Sequence, residues 1–318
     1  MTDILQTPSG STSKQKRISE LLLVTTTILW GTTFIITNTV TQVVPPMFYM
    51  GVRYLIGFLA FLPFLAHLKR IDIKQLKIAF IASFLVWASF ALQTIGIKLT
   101  TATKSAFITG LNVIMVPIFI AIFYKKKVPV KIWISTVLAL LGVSIMTFGG
   151  FDSIELGDIL VLICDVFYAL YIIYLDNNLK HVDTIGFSII LVFLLSFCSF
   201  IVSFIFEPID QIFGDLSSQI FTLGNLWIML YMGVVATMIA TLTQTFGQRH
   251  VNSTRTAIIF ALEPLFATFF AVLGNESLNW QTIIGGIIII LGIFISIERA
   301  KPIDGPIDLN GPQITQEE

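Results

Sequence analysis

Charge is scarce in this chain: Asp, Glu, Lys and Arg make up 12% of its 318 residues, against 55% hydrophobic ones. A water-soluble fold of that size would have to hide more apolar surface than its core could hold, so lipid is the expected solvent for most of the chain. Histidine and cysteine are nearly missing too, with three and two residues. His67, His181 and His250 fall at the ends of apolar stretches and Cys164 and Cys198 inside them, which argues against a metal site and a disulfide framework. There is no glycine-rich phosphate loop with its Lys, so ATP does not drive the protein directly, and no His-rich or Asp-rich cluster of the kind a membrane metalloprotease or prenyl-transferring enzyme needs. Neither an enzymatic activity nor a cofactor is expected, nor is nucleic acid as a partner. No secretory cleavage pattern precedes the first apolar stretch, which is expected to stay as structure.

What is there is one apolar stretch after another. A helix needs about 20 mainly apolar residues to cross the hydrocarbon layer. Ten stretches of that size can be marked, at 20–41, 46–67, 75–97, 103–123, 130–149, 157–176, 184–206, 225–247, 254–274 and 280–298. The predicted fold class is an all-α polytopic membrane protein with ten transmembrane helices, and the even number puts both termini on one side. Lys and Arg gather on the loops of that side, including Lys69, Arg70, Lys74, Lys77, Lys125, Lys126 and Lys127, while the other side keeps Lys98 and Lys104. That bias predicts cytoplasmic termini in a cytoplasmic (inner) membrane, with the Lys125 to Lys127 run also able to hold anionic lipid. The polar ends 1–17 and 301–318 have too few large apolar residues to fold alone and are expected to be mobile.

The chain also repeats itself. Gln93, Thr94, Gly96, Thr103, Ala106, Ile108 and Leu111 return as Gln244, Thr245, Gly247, Thr254, Ala257, Ile259 and Leu262, each 151 positions later (93 to 244), while Lys98 and Lys104 become Arg249 and Arg255. Five spans per copy is an odd number, so the second copy enters the membrane from the opposite face. The predicted organisation is a tail at 1–19, a first five-helix repeat at 20–149, a linker at 150–156, a second, inverted repeat at 157–298 and a tail at 299–318. Inverted repeats can exchange conformations and so carry a solute across by alternating access.

Several short motifs stand out in each half. The first half holds Leu29-Trp30-Gly31-Thr32-Thr33-Phe34, Arg53-Tyr54 and Thr103-Lys104-Ser105-Ala106. The second holds Gly157-Asp158-Ile159-Leu160, Leu262-Glu263-Pro264-Leu265-Phe266-Ala267 and Gly274-Asn275-Glu276-Ser277-Leu278, followed by Gln281, Gly285 and Gly292. Over 20–298 the chain resembles the EamA-type transporters of the drug/metabolite transporter superfamily. The resemblance implies paired five-helix repeats and secondary transport, with export of a small metabolite such as an amino acid. Drug efflux, nutrient uptake or a non-transporting role such as lipid scrambling are the alternatives. The chain departs from the family at Tyr124-Lys125-Lys126-Lys127, where many members carry Gly-Glu. Its first span also has no carboxylate of the kind the small multidrug branch uses.

Ionisable groups inside spans are the sharpest local signals, since each costs about 2.5 to 3.5 kcal/mol at a helix centre. Asp165 and Glu263 are such groups, and each either lines a watery cavity, binding a substrate amine or a coupling proton, or sits neutral and hydrogen-bonded between helices. Arg53 lies nearer a span end and is expected to snorkel to the headgroups, with a substrate carboxylate as the alternative partner. Gln93 and Gln244 occupy equivalent repeat positions and are expected to bridge helices or face the cavity, and Asn112, the repeat partner of Glu263, likewise. Trp30, Trp87, Tyr168 and Tyr171 fall in spans that the resemblance places around a central cavity. Of these, Trp30 and Tyr168, at near-equivalent places in the two copies, are the expected substrate contacts. Pro117 and Pro264 interrupt the fourth and ninth spans and are candidate hinges.

Overall fold

The computed structural model describes residues 13–123, 130–148, 155–208 and 223–297, and every regular element among them is helical. In chain order the helices are α1 (Ser13–Thr41), α2 (Pro46–Ala60), α3 (Ile73–Lys98), α4 (Ala102–Phe123), α5 (Val130–Phe148), α6 (Leu156–Asn178), α7 (Thr184–Phe206), α8 (Asn225–Gln248), α9 (Ser253–Leu273) and α10 (Trp280–Ile297). Among the described residues seven of these are long and apolar enough to cross a membrane, or eight if α2 and its bent continuation count as one. The Lys125 to Lys127 run, the tail 301–318 and most of the 150–156 linker lie outside the described residues.

Polar residues just ahead of the apolar runs start several helices. Asp72, Thr101, Asp183 and Asn252 each accept a hydrogen bond from the backbone N–H three residues on, at 2.7, 3.1, 2.8 and 2.9 Å, satisfying a donor the first turn leaves free. At α2 the acceptor comes from another helix: the Glu207 carboxylate receives the N–H groups of Met47 and Phe48 at 2.7 and 2.9 Å, a negative charge placed on a helix N-terminus.

Three expectations about the spans need correction. Helix α1 already runs from Ser13, so the last part of the polar 1–17 segment is helical. The second span is not continuous to residue 67, because α2 stops at Ala60 and a 3₁₀ segment, Leu62–Arg70, departs at 80°. Pro63 cannot donate the N–H that would bond to Leu59, and the basic end of the segment does better at the lipid–water boundary than within it.

The fourth and ninth spans break at Gly110–Leu111 and Ala261–Leu262 rather than at the prolines. In both, the chain tightens into i−3 bonds, among them Leu111 N–H to Ile108 O (2.9 Å) and Leu262 N–H to Ile259 O (3.1 Å). Pro117 lies inside the helical segment that follows the first break, and Pro264 in the opening turn of the segment that follows the second, where a missing N–H is tolerated.

Helix α1 packs between α8 and α9, α6 packs against α3 and α4, α2 against α7, and α5 against α10. One end of the bundle, here the near end, gathers the start of α1, the end of α8 and the start of α9: a Cβ on Gly247 would lie 2.6 Å from Leu23 and 3.0 Å from the Ser19 carbonyl. At the far end α1 finishes beside the α3–α4 turn, where Asn38 donates to the carbonyls of Ile97 (2.7 Å) and Thr100 (3.0 Å).

Candidate functional site

A cavity opens among α1, α2, α3, α4, α6 and α9, with about 500 Å³ of non-atom space, its mouth included. Four of its lining residues, Trp30, Tyr54, Phe90 and Tyr168, are aromatic, and most of the others are polar. Trp30 stands edge-on to Phe90 and Tyr168 with ring centroids 6.0 Å away in each case, and Tyr54 and Tyr168 stack on Phe90 at 6.4 and 6.0 Å. Phe260 closes the group from behind, 5.3 Å from Trp30 and 6.2 Å from Tyr168. Rings at these separations contribute edge and stacking attraction beyond their area, and they hold one another's rotamers. Thr33, Thr37, Ser89, Thr94 and Thr109 from α1, α3 and α4 line it too, and Gln93 adds an amide.

Two ionisable groups of opposite type face this space. Glu263, 4% exposed, opens the second segment of α9, and among the described residues no group hydrogen-bonds to its carboxylate. Arg53 does not snorkel. Its Nε donates to Thr237 Oγ1 at 3.0 Å and its NH2 to the Ala236 carbonyl at 3.2 Å, while the guanidinium lies 5.5 Å from the Tyr54 ring centroid.

The Arg53 anchor depends on a local irregularity. From Tyr231 to Ile239 helix α8 is wound as a π-helix, and Thr237 Oγ1 donates to the Met232 carbonyl at 2.8 Å, five residues back. Widened turns of this kind present backbone and side-chain oxygens that a regular helix keeps to itself. No carboxylate pairs with Arg53 among the described residues, so Arg53 and Glu263 share the cavity without joining each other.

The other sequence-derived candidates divide. Trp30, Tyr168 and Gln93 line the cavity, and Gln93 also donates to Thr109 Oγ1 at 3.2 Å, bridging α3 and α4. Gln244, its repeat counterpart, does not line the cavity; it stands behind the wall and donates to the Tyr168 hydroxyl at 3.2 Å. Asp165 sits one turn from Tyr168 on α6, is 0% exposed, and does not line the cavity either. Neither of its oxygens has a hydrogen-bond partner among the described residues, so neither of the two alternatives for Asp165, a cavity wall or a bond between helices, is met. Asn112 is buried too, its amide bonding back to the Thr109 carbonyl at 2.8 Å. Trp87 bridges α3 and α7 through Ser199 (3.1 Å), and Tyr171 packs on Tyr168. Both thiols are free.

Sequence reasoning missed Tyr54 and Phe90 as wall residues and Thr237 as the anchor of Arg53. Tyr54 stood beside Arg53 in the quoted motif, so a signal existed there. A Phe that is one of 28, and a Thr whose hydroxyl is turned to Arg53 by a wound turn, gave none.

Comparison with known proteins bears on what such a bundle does. A protein of Archaeoglobus fulgidus described as an uncharacterized transporter is 29% identical over 288 residues, 90% of this chain and 88% of its own. The uncharacterized transporter YoaV of Bacillus subtilis is 23% identical over 288 residues, 86% of this chain and 94% of its own. A solved crystal structure superposes with a TM-score of 0.63 at 17% identity, covering 87% of this chain and 96% of that one, a likeness of fold alone. The EamA-like transporter family model matches twice, at 17–148 and again at 155–297, so the greater part of the sequence lies within it. This multi-pass membrane protein belongs to the EamA-like transporter family.

Proposed function

We propose that the protein is a secondary transporter of ten spans in two inverted five-helix repeats. It passes a small zwitterionic metabolite, an amino acid with an apolar or aromatic side chain, through the Arg53–Glu263 cavity by alternating access. The observation that carries this reading is that a guanidinium and a carboxyl group face one space, lined also by four aromatic rings, without pairing with each other. A guanidinium meets a carboxylate, a carboxylate meets an ammonium, and rings accept an apolar side chain.

The inverted arrangement is supported by the two family-model matches, by the same tightened turn at Gly110–Leu111 and Ala261–Leu262, and by packing that repeats when the halves are exchanged: α1 on α8 and α9, α6 on α3 and α4. The positive-inside bias supports cytoplasmic termini, which makes the near end cytoplasmic and the cavity's Thr33–Thr37 wall outward. Export follows the family resemblance, with a proton as candidate coupling ion. A central cavity lined by Trp30, Tyr168 and Glu263, between helices of both halves, favours transport over lipid scrambling.

The test is thermal stabilisation of the purified protein, then uptake into vesicles, using L-phenylalanine, phenethylamine and 3-phenylpropionate. Ligands that bind the folded form raise its melting point. Phenylalanine should stabilise and the two one-charge analogues should not. If phenethylamine stabilised equally, a cation-efflux role would replace this one.

A further inference from the structure

Two ion pairs at opposite ends of the bundle occupy equivalent places in the two repeats. At the far end Lys104 Nζ lies 3.1 Å from Asp158 Oδ2 and 3.5 Å from Glu155 Oε2, joining the start of α4 to the start of α6. At the near end Arg255 Nε lies 2.6 Å from Glu20 Oε1, joining the start of α9 to the first turns of α1. Lys104 and Arg255 are 151 positions apart (104 to 255), the spacing of the sequence repeat. Glu20 and Asp158 are 138 apart (20 to 158), the same spacing as Trp30 to Tyr168 and as the starts of the two family matches, 17 to 155.

The surroundings repeat as well. Thr101 caps the turn that carries Lys104, and Asn252 caps the turn that carries Arg255. A Cβ on Gly96 would lie 2.7 Å from Val161 and 2.9 Å from the Gly157 carbonyl, and one on Gly247 would meet their counterparts Leu23 and the Ser19 carbonyl at 2.6 and 3.0 Å. Each pair therefore stands over a glycine crossing so close that neither helix can roll on the other without collision.

This arrangement ties a hairpin of one repeat to the first helix of the other, α3–α4 to α6 and α8–α9 to α1. We infer that Lys104–Asp158 and Arg255–Glu20 are permanent clasps that couple the two repeats, staying shut through the transport cycle while the breaks at Gly110–Leu111 and Ala261–Leu262 flex. The inference rests on the alternating-access reading above. Ion pairs that acted as gates would separate on one side each half-cycle; here both are closed in one conformation, each over a packed glycine crossing. The far clasp is the stronger, because Lys104 and Asp158 are 13% and 6% exposed and Thr100 Oγ1 also donates to Asp158 at 2.8 Å. Arg255 and Glu20 are 47% and 24% exposed, where solvent screens the pair and the glycine crossing does most of the holding.

The experiment needs no known substrate. In the full chain with Cys164→Ser and Cys198→Ser, Thr33→Cys reports access to the cavity by its reaction with a membrane-impermeant maleimide, applied from either face of sealed vesicles. The added pairs Lys104→Cys/Asp158→Cys and Glu20→Cys/Arg255→Cys are bridged beforehand with a short bifunctional methanethiosulfonate. Bridged protein should still be reached from both faces, whereas loss of access from one face on bridging would make the pairs gates and overturn the clasps.

Asp158→Asn should lower the melting temperature, with Glu20→Gln doing less and Lys104→Asp/Asp158→Lys restoring it, and should leave the ratio of the two rates within about 2-fold, because a contact made equally in both conformations does not shift their balance. A ratio moved by about 5-fold or more by Asp158→Asn would mark the pair as a gate and would also overturn the inference. An unbridged parent reached from one face only would instead remove the alternating-access reading on which the clasps rest.

Discussion

Gly110 and Pro264 meet where the broken turns of α4 and α9 cross: a Cβ added to Gly110 would lie 2.8 Å from Pro264 Cγ and 3.3 Å from the Phe107 carbonyl. Each break thus leans on the other, and the contact leaves no room for a methyl group. Gly110→Ala should push the two turns apart, costing about 1–3 kcal/mol as overpacking does. The melting temperature should fall and transport should slow, while Pro264→Ala in the Gly110→Ala background should recover part of both. A Gly110→Ala protein as stable as the parent would show that the turns separate easily.

Glu263 and Asp165 are expected to behave differently, because only Glu263 faces the cavity. Glu263→Gln should weaken phenylalanine binding by about tenfold or more, the loss of one charge-assisted contact of about 1.4 kcal/mol. Asp165→Asn should leave binding in place and abolish the response of uptake to a pH gradient, since a buried carboxyl without a partner can serve a proton but cannot touch the solute. Isothermal binding and vesicle uptake with and without the gradient separate the two variants.

Arg53 is held by two acceptors on α8, so its replacement by Lys is not conservative. Arg53→Lys and Arg53→Gln should both weaken phenylalanine binding, Gln by about tenfold, the scale of one charged hydrogen bond. Thr237→Val removes one acceptor and should cost less, about threefold, by letting the guanidinium shift. Equal affinities across all three variants would place the solute carboxylate elsewhere.

Asp183 gives the clearest pH signature outside the spans. Burial alone would raise its carboxyl, but the Gly186 N–H, His67 at 3.0 Å and Arg70 at 3.5 Å outweigh that and hold it below its ordinary value. A depressed folded value means that the stabilisation is complete above the unfolded value of about 3.9 and is lost as pH falls through the folded one. The melting temperature should therefore drop in that acid range, and Asp183→Asn should start lower at neutral pH and show a shallower acid decline.

Much of the fold was legible in the chain itself. The span positions agree with the helices to within a few residues at α3, α6 and α7. The repeat marked by Gln93 and Gln244 led to the paired turns, although prolines were read as the breaks where Gly110 and Ala261 mark them. Pro117 misled because a proline inside an apolar run reads as an interruption, while its neighbours on α6 and α10 keep that segment helical.

The sequence by itself determined a membrane-embedded helical chain, its two matched halves, its family and the small set of ionisable residues inside the spans. Composition and spacing carry all of that, since lipid demands long apolar helices and duplication leaves polar residues in step. Only the tertiary structure decided which way those residues face. In a water-soluble helix the polar stripe marks the outside, but here lipid-facing and core-facing sides are both apolar, so periodicity cannot orient a helix about its axis. Packing does so instead. The π-turn of α8 draws Arg53 inward, the break of α9 delivers Glu263 to the cavity, and the register of α6 leaves Asp165 one turn from Tyr168, off the cavity wall.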